Sequence, residues 1–415
     1  MTSVFIHNFG CRVNQAEAFD WSDRLAEAGI YVEKDWRKSD VVVVNSCALT
    51  ARAEADVRQF IRRLQRESPQ AKLIITGCLA EKSSEEFKKF PNVSLIIPNS
   101  RKDNLLEELL KLTGIKDEAV ERRPFRSRAL VKVQDGCDSH CTFCIIPSLR
   151  GKSRSVPAGQ VVEQVRRAIN QGYNEVVLAG IHLCAYGQDL SPKSSLLELL
   201  KSLTQIPGLK LLRLSSLDPR LMPTELLEFL VSEEKICPHF HLSLQHASVE
   251  VLKKMGRKSR PEEYLQILEY LRKGRPEASL GADIIVGFPG EQETDYEFLK
   301  NFLASSPLTY FHVFSFSPRE GTPAACWPQV DEKIKKKRSE ELRKLSREKN
   351  LAFKKNFLSQ TLPAIVVKKN GLQIETLTSN YLKVILDKNV DVTLRQLIKV
   401  RISEISPYAV KGEVV

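Results

Sequence analysis

Three short apolar runs near the start of the chain each end in a cysteine, and together they narrow the possible folds sharply. SVFIHNFGC, DVVVVNSC and KLIITGC read as strands. Between them, AEAFDWSDRLAEAG and ARAEADVRQFIRRLQRES repeat apolar residues at three- and four-residue steps, as helices do. Strands apolar throughout that alternate with helices pair in parallel, and both faces of their sheet are covered. The carboxyl ends of such strands line one edge of the sheet, where ligands bind. Cys11, Cys47 and Cys78 each lie just past one of those ends. A single thiol there would read as an inert core residue. Three in the same structural position predict a shared metal site.

The alternation resumes in the middle of the chain. ALVKVQ (129–134), EVVLAG (175–180), LLRLSS (211–216), HFHLSLQ (239–245), GADIIVGFP (281–289) and YFHVFSFS (310–317) are strand candidates. Helical stretches such as VVEQVRRAINQG, SLLELLKSLTQI and PEEYLQILEYLRKG separate them. Eight such repeats close a standard barrel, so six predict a partial one. GCDSHCTFC follows the first of these strands and sets Cys137, Cys141 and Cys144 in a C-x3-C-x2-C pattern. A closed zinc site takes four protein ligands. The next cysteine, Cys184, lies far downstream, and neither it nor Cys237 nor Cys326 has a neighbour at ligand spacing. A 4Fe–4S cluster held by three thiolates leaves one iron open to a small molecule. Zinc with His140 as a further ligand stays the alternative.

A chain of 415 residues exceeds one ordinary core, so two or three domains are expected. Hydrophobic content of 42% and charged content of 27% are globular values. The formal net charge of +12 suits a polyanionic partner, although a solvated basic surface explains it equally well. The N-terminus lacks the pattern of a signal peptide, and no apolar run approaches the ~20 residues of a membrane helix. A cytoplasmic location with reduced thiols and no membrane is therefore expected, so the nine cysteines point to metal or redox chemistry.

The last third changes character. DEKIKKKRSEELRKLSREKNLAFKKNF reads as a charged, solvated helix connecting domains. LPAIVVKKNGLQIETL, with Asn370-Gly371 as a hairpin turn, then YLKVILD and LIKVRISEIS predict a small antiparallel barrel. Lys368, Lys369, Lys383 and Arg401 are its candidates for phosphate contacts with RNA.

C-x3-C-x2-C with Phe143 before the last cysteine resembles the signature of the radical S-adenosylmethionine enzymes. The resemblance implies that Cys137, Cys141 and Cys144 are catalytic. They would hold a 4Fe–4S cluster whose open iron binds S-adenosylmethionine and whose electron cleaves it to a 5′-deoxyadenosyl radical. CTFCIIPSLRGKSRS, GCRVNQAE, RLSSLDP, HLSLQHAS, VLKKMGR, DIIVGFPGE and HVFSFSPREGTPAA, spread over residues 10 to 325, are similar to the methylthiotransferases within that superfamily. Members of that family carry a second such cluster, associated with sulfur delivery, which the resemblance assigns to Cys11, Cys47 and Cys78. It also implies that Phe143 and the 286–290 segment flank the adenine of S-adenosylmethionine. Ala179 and Gly180 would hold its amino end, and Ser215 and Ser216 its ribose. Gln245 is a further polar candidate at a strand end. Ordinary turn chemistry explains Gly, Ser and Pro at such positions as well.

Three substrates are known in that family: threonylcarbamoyladenosine and isopentenyladenosine in tRNA, and an aspartate of a ribosomal protein. GCRVNQ, KVQDGC and HVFSFSPREGT resemble the threonylcarbamoyladenosine branch most, while IIPSLRGKSRS is shared in part with the ribosomal-protein branch. His246 and His182 depart from the family pattern, which bears on substrate contacts. The resemblance implies an N-terminal α/β domain (1–118), a radical S-adenosylmethionine domain (123–330), a connecting helix (331–357) and an RNA-binding TRAM-like barrel (358–415). The expected partners are the anticodon loop of tRNA, an external electron donor and a sulfur source. The rival of another class is a non-catalytic iron–sulfur protein that binds RNA or carries electrons.

Overall fold

The computed structural model describes residues 2–113, 126–371 and 373–415. β1 (Ser3–Asn8), β2 (Tyr31–Val32), β3 (Val41–Ser46), β4 (Lys72–Gly77) and β5 (Val93–Pro98) form one sheet in the order β2-β1-β3-β4-β5. Every pair in it is parallel. The four valines of β3 are buried, as expected of a strand covered on both faces. The expected boundary at residues 118–123 lies outside the described residues.

The second body comprises β6 (Ala129–Asp135), β7 (Arg154–Ser155), β8 (Glu175–Gly180), β9 (Leu211–Leu214), β10 (His239–Gln245), β11 (Ser279–Val286) and β12 (Tyr310–Ser315). β6, β8 and β9 pair in parallel, as do β10, β11 and β12. Isolated parallel bridges, Leu212 to Ile236 and Leu217 to Leu242, join the two groups. The short β7 adds an antiparallel edge to β6. Six parallel strands thus make an open barrel, as their number in the sequence predicts.

α1 (Arg12–Glu27) belongs to both bodies. Val13, Ala16 and Phe19 enter the core of the six-stranded barrel. Ala18, Trp21 and Leu25, on the other side of the helix, pack with Val4, Val41 and Ile74 of the first sheet. Ile145 and Leu149, just after the C-x3-C-x2-C loop, are likewise buried in the core of the N-terminal sheet.

The charged helix, Glu332–Lys355, differs from the solvated connector predicted from its composition. It lies along β12, the edge strand of its sheet. Ser346 Oγ accepts from the Phe311 N–H (2.9 Å) and donates to the Phe311 carbonyl (2.8 Å), and Arg343 donates to the Val313 carbonyl (3.1 Å). The buried stripe is Lys335, Arg338, Ser339, Leu342, Ser346 and Phe353. Its serines and its lysine conceal the period from a reading of hydrophobicity. By satisfying the free backbone of β12, the helix covers a sheet edge that would otherwise pair with another chain.

β13 (Thr361–Lys369), β14 (Ile374–Thr378), β15 (Lys383–Leu386), β16 (Leu397–Ile405) and β17 (Val410–Val414) close a barrel in the order β13-β14-β15-β17-β16. One junction departs from the antiparallel expectation: β17 returns from a hairpin with β16 and meets β15 in parallel. The β13–β14 connection takes four residues, 370–373, and Asn370 Oδ1 accepts from the Gln373 N–H (2.9 Å). This barrel docks on the amino ends of the six parallel strands. Arg213 donates to the Ser379 carbonyl (2.9 Å), and Asn380 donates to the Glu277 carbonyl (3.2 Å). Among the described residues no helix is long and apolar enough to cross a membrane.

Candidate active site

Cys11 occupies the N-cap position of α1, Cys47 follows β3 directly, and Cys78 opens α2 (Cys78–Lys82) after β4. β1, β3 and β4 are neighbours, so the three thiols converge as the strand ends require. Gly10 carries a positive φ of 106°, and a Cβ there would lie 2.9 Å from Cys47 Sγ. Only glycine lets the chain turn so close to the second thiol. Burial, reinforced by Cys78 and Cys11, pushes the Cys47 thiol up to about 12. Burial raises Cys78 as well, against the opposing pull of Arg150. Three free thiols drawn together beside buried Arg150 and Lys102 suit a ligand that takes their protons away.

The second trio sits on a loop that starts with Gly136, φ 70°, where a Cβ would meet the Lys152 carbonyl at 2.0 Å. Gln134 supports this turn, its Nε2 donating to the carbonyls of Asp135 and Gly136 (2.9 Å each). Its Oε1 accepts from the His182 N–H (2.8 Å), tying the loop to the end of β8. Farther along, the Thr142 N–H donates to the Met255 carbonyl (3.0 Å).

His182 links two functional groups. Nδ1 lies 3.7 Å from Cys137 Sγ, and Nε2 lies 3.2 Å from Asp218 Oδ2. Burial alone would lower His182, but Asp218 and Cys137 outweigh it and push it up to about 9. Burial would raise Cys137, yet His182 and the Ser139 N–H hold that thiol below its ordinary value. Burial, with Cys141 and Cys137 adding, raises Cys144 to about 12. Arg257 Nη1 approaches Cys141 Sγ at 3.9 Å. Three clustered thiols beside two hydrogen-bond donors match a three-thiolate 4Fe–4S site. Among the described residues neither Cys184, buried and accepting from the Asp218 N–H (3.2 Å), nor buried Cys237 nor exposed Cys326 joins either trio.

Phe143 packs edge-on against Phe288 at 6.3 Å, beside the 286–290 turn. Ala179 is buried within β8 and Gly180 ends the strand. The Gly180 N–H donates to Ser215 Oγ (3.3 Å), and Ser216 Oγ lies 3.0 Å from His241 Nδ1. Gln245 ends β10 in a left-handed conformation, φ 72°. A non-glycine residue held there stores strain of about 1–3 kcal/mol, which persists where surrounding structure imposes it. His246 is fully buried against Glu291 (3.7 Å), and burial pushes it down to about 3. It serves the 286–290 turn, whose Gly287 and Phe288 N–H groups both donate to Glu291 Oε2.

A chamber of about 450 Å³ occupies the barrel interior. Cys11 and Arg12 form one wall, Ser215 and Ser216 another, with His241, Asp283 and His312 projecting from β10, β11 and β12. His239 and Tyr310, the first residues of their strands, mark its amino-terminal mouth, which Tyr381 of the C-terminal barrel closes. Neither His182 nor His246 lines it. Arg12, His241, Asp283, His312 and Tyr381 line it in addition to the residues the sequence predicts. The HFH of β10 and the YFH of β12 alternate in the same way, and the outer residues of each triplet line the chamber.

The four predicted phosphate contacts all lie on the C-terminal barrel. Lys368 and Lys383 share Glu375 (3.4 and 2.7 Å), Arg401 pairs with Glu413 (3.0 Å), and Lys369 donates to the Val392 carbonyl (2.8 Å). All four cations are exposed, whereas Glu375, shared by two of them, is buried.

Comparison with known proteins agrees with this geometry. Residues 131–303 match the Radical SAM superfamily, and residues 3–98 match the Uncharacterized protein family UPF0004. A threonylcarbamoyladenosine tRNA methylthiotransferase MtaB of Aquifex aeolicus (strain VF5) is 37% identical over 92% of this chain and 96% of its own. Its namesake in Bacillus subtilis (strain 168) is 33% identical over 97% and 94%. A tRNA-2-methylthio-N(6)-dimethylallyladenosine synthase of Clostridium botulinum (strain Okra / Type B1) is 30% identical over 99% and 96%. Among solved structures, the radical S-adenosylmethionine methyltransferase TsrM of Kitasatospora setae shares the fold at 14% identity. Its TM-score is 0.58, over 78% of this chain and 77% of that one. The cysteine loop after the first barrel strand, the second trio on the N-terminal sheet and the full-length relatives agree: the chain belongs to the methylthiotransferase family of radical S-adenosylmethionine enzymes.

Proposed function

We propose that this enzyme adds a methylthio group to C2 of N6-threonylcarbamoyladenosine beside the anticodon of tRNA. The observation that carries the reading is the chamber. It reaches from Cys11 to Ser215 and Ser216, so one base inside it lies between the two predicted cofactor sites. Its wall is mostly Arg, His, Asp, Tyr and Ser, with Val177 and Leu214 among the few apolar residues. Such a lining suits a polar N6 substituent better than a dimethylallyl group.

A cluster on Cys137, Cys141 and Cys144, when bound, supplies the electron that cleaves S-adenosylmethionine, and one on Cys11, Cys47 and Cys78 is associated with the sulfur. The chain's residues hold and shield the reactants. His182, fixed by Asp218, donates to Cys137 and orients it. Phe143, backed by buried Phe288, and the backbone of the 286–290 turn flank the adenine, and Ala179 and Gly180 end β8 where the amino group of S-adenosylmethionine is expected. Ser215 and Ser216 offer hydroxyls for its ribose, and Gln245, at the end of β10, is a further polar candidate. Lys368, Lys369, Lys383 and Arg401 meet tRNA phosphates. An external electron donor and a sulfur source complete the reaction, which takes place where tRNA matures, in the cytoplasm.

Nucleoside mass spectrometry of tRNA from a strain lacking the gene tests the substrate. Loss of 2-methylthio-N6-threonylcarbamoyladenosine is expected, and an unchanged tRNA profile would favour the ribosomal protein. Reconstituted protein is expected to hold about eight irons and Cys144→Ala about four. A Cys47→Ala variant should still form 5′-deoxyadenosine while yielding no methylthiolated nucleoside. Normal methylthiolation by that variant removes the sulfur role from the N-terminal trio.

A further inference from the structure

Arg12 is the first residue of α1, directly after Cys11, and its guanidinium faces the chamber. Nη1 donates to Gln15 Oε1 (3.0 Å) and Nη2 to the Tyr381 hydroxyl. Both acceptors are neutral, and among the described residues no carboxylate lies within ion-pair distance of Arg12. The other guanidinium of the chamber is different. Arg213 is fully buried and held by Glu175 (2.7 Å) and by the carbonyls of Ser379 and Thr378. Arg213 is a structural cation already neutralised, whereas Arg12 is a half-buried cation with neutral partners and N–H donors to spare.

Its support is rigid. Tyr381 sits at a positive φ of 73°, unusual for an aromatic residue. Its ring stacks on His239 at 4.1 Å and lies 5.1 Å below the Arg213 guanidinium. The hydroxyl that receives Arg12 is therefore held from two sides. Farther into the chamber, His241 Nε2 lies 3.4 Å from Asp283 Oδ1 but makes no hydrogen bond, and His312 lies within 4.8 Å of both. This second group offers donors and acceptors to a neutral polar ligand.

We propose that Arg12, set by Tyr381 and Gln15, binds the carboxylate of the substrate's N6 side chain, and that His241, Asp283 and His312 receive its hydroxyl and carbamoyl groups. The inference rests on the threonylcarbamoyladenosine reading. A threonine joined to N6 by a carbonyl on its amino nitrogen keeps a free carboxylate and a hydroxyl, and a dimethylallyl group has neither. A bidentate guanidinium–carboxylate pair also fixes the plane of the side chain. Since Arg12 follows Cys11, this pair sets the base beside the cysteine associated with sulfur.

The test uses reconstituted holoenzyme and three anticodon stem-loop RNAs. They differ only at N6 of the target adenosine, which carries threonylcarbamoyl, its methyl ester or dimethylallyl. The readout is the ratio of kcat/KM values for methylthiolation within one preparation, which cancels differences in cluster loading. Wild type is expected to prefer the free acid over the ester by about 10- to 100-fold, the worth of a charge-assisted hydrogen bond. Arg12→Gln is expected to treat acid and ester alike, and Arg12→Lys to keep part of the preference. Equal use of acid and ester by wild type overturns the assignment without any variant. A preference that survives intact in Arg12→Gln overturns it too. Wild-type methylthiolation of the dimethylallyl RNA in place of the threonylcarbamoyl one defeats the substrate reading instead.

Discussion

Glu17 shows how much the meeting of the two bodies depends on single side chains. It is fully buried, and it takes Lys102 at 2.7 Å, Arg150 at 3.1 Å and Lys132 at 3.4 Å. Burial would raise its carboxyl, but the three cations hold it well below the usual range. Asp135, beside Arg150 at 2.7 Å, is lowered in the same way. A group whose folded pKa is depressed contributes stability that is present above its unfolded value and lost as pH falls through the folded one. The melting temperature is therefore expected to fall as pH drops below about 4.5, the ordinary value for Glu17. Glu17→Gln, which leaves buried Lys102 without its carboxylate, should cost about 3–5 kcal/mol at neutral pH and show a shallower acid slope in a pH series of thermal melts. An unchanged slope would mean that another carboxylate controls acid unfolding. The cysteines were legible in the sequence because spacing alone groups them. Arg12, Asp283 and Tyr381 were not, because each is one ordinary residue on a different element, and only the tertiary fold brings them to one cavity.

At the scale of elements, strands and helices of the two α/β bodies followed from periodicity, since their buried faces are apolar. The Pro261–Gly274 helix and β10 match the predicted limits. The Glu332–Lys355 helix escaped that logic because it recognises an edge strand through hydroxyl and guanidinium groups. Leu342 is its fully buried anchor. Leu342→Ala should cost about 2–5 kcal/mol, readable as a lowered melting temperature. Ser346→Ala leaves the Phe311 amide and carbonyl unpaired and should cost about 1–3 kcal/mol. Faster hydrogen exchange at Phe311 is its specific sign, and unaltered exchange there would show that the helix does not guard the edge.

At the scale of the molecule, the C-terminal barrel both presents cations and closes the chamber through Tyr381. A chain ending before residue 358 would lose more than RNA affinity. Arg213 would be left without two carbonyl acceptors, and Leu211 and Cys237 without Ile365. Replacing Lys368, Lys369, Lys383 and Arg401 with alanine separates the two roles, since all four are surface residues. The variant should melt near wild type while binding tRNA more weakly, with a salt slope shallower by about 0.7–0.9 for each phosphate no longer neutralised. An unaltered slope would move the RNA-binding surface elsewhere. The sequence named these four cations but not the acidic partners of Lys368, Lys383 and Arg401, because those lie on neighbouring strands.

α1 lies in two hydrophobic cores at once, and the residues after the C-x3-C-x2-C loop are planted in the N-terminal sheet. The two cysteine trios therefore move as one solid piece. No swing of one body away from the other can widen the chamber without tearing a core apart. A nucleotide has to come to such an enzyme rather than be enclosed by it. A base inside a cavity of about 450 Å³ has left its neighbours in the anticodon stack, and unstacking costs a few kcal/mol. Loop flexibility thus becomes part of selectivity, and RNAs whose target adenosine turns outward readily are favoured before any side chain is read.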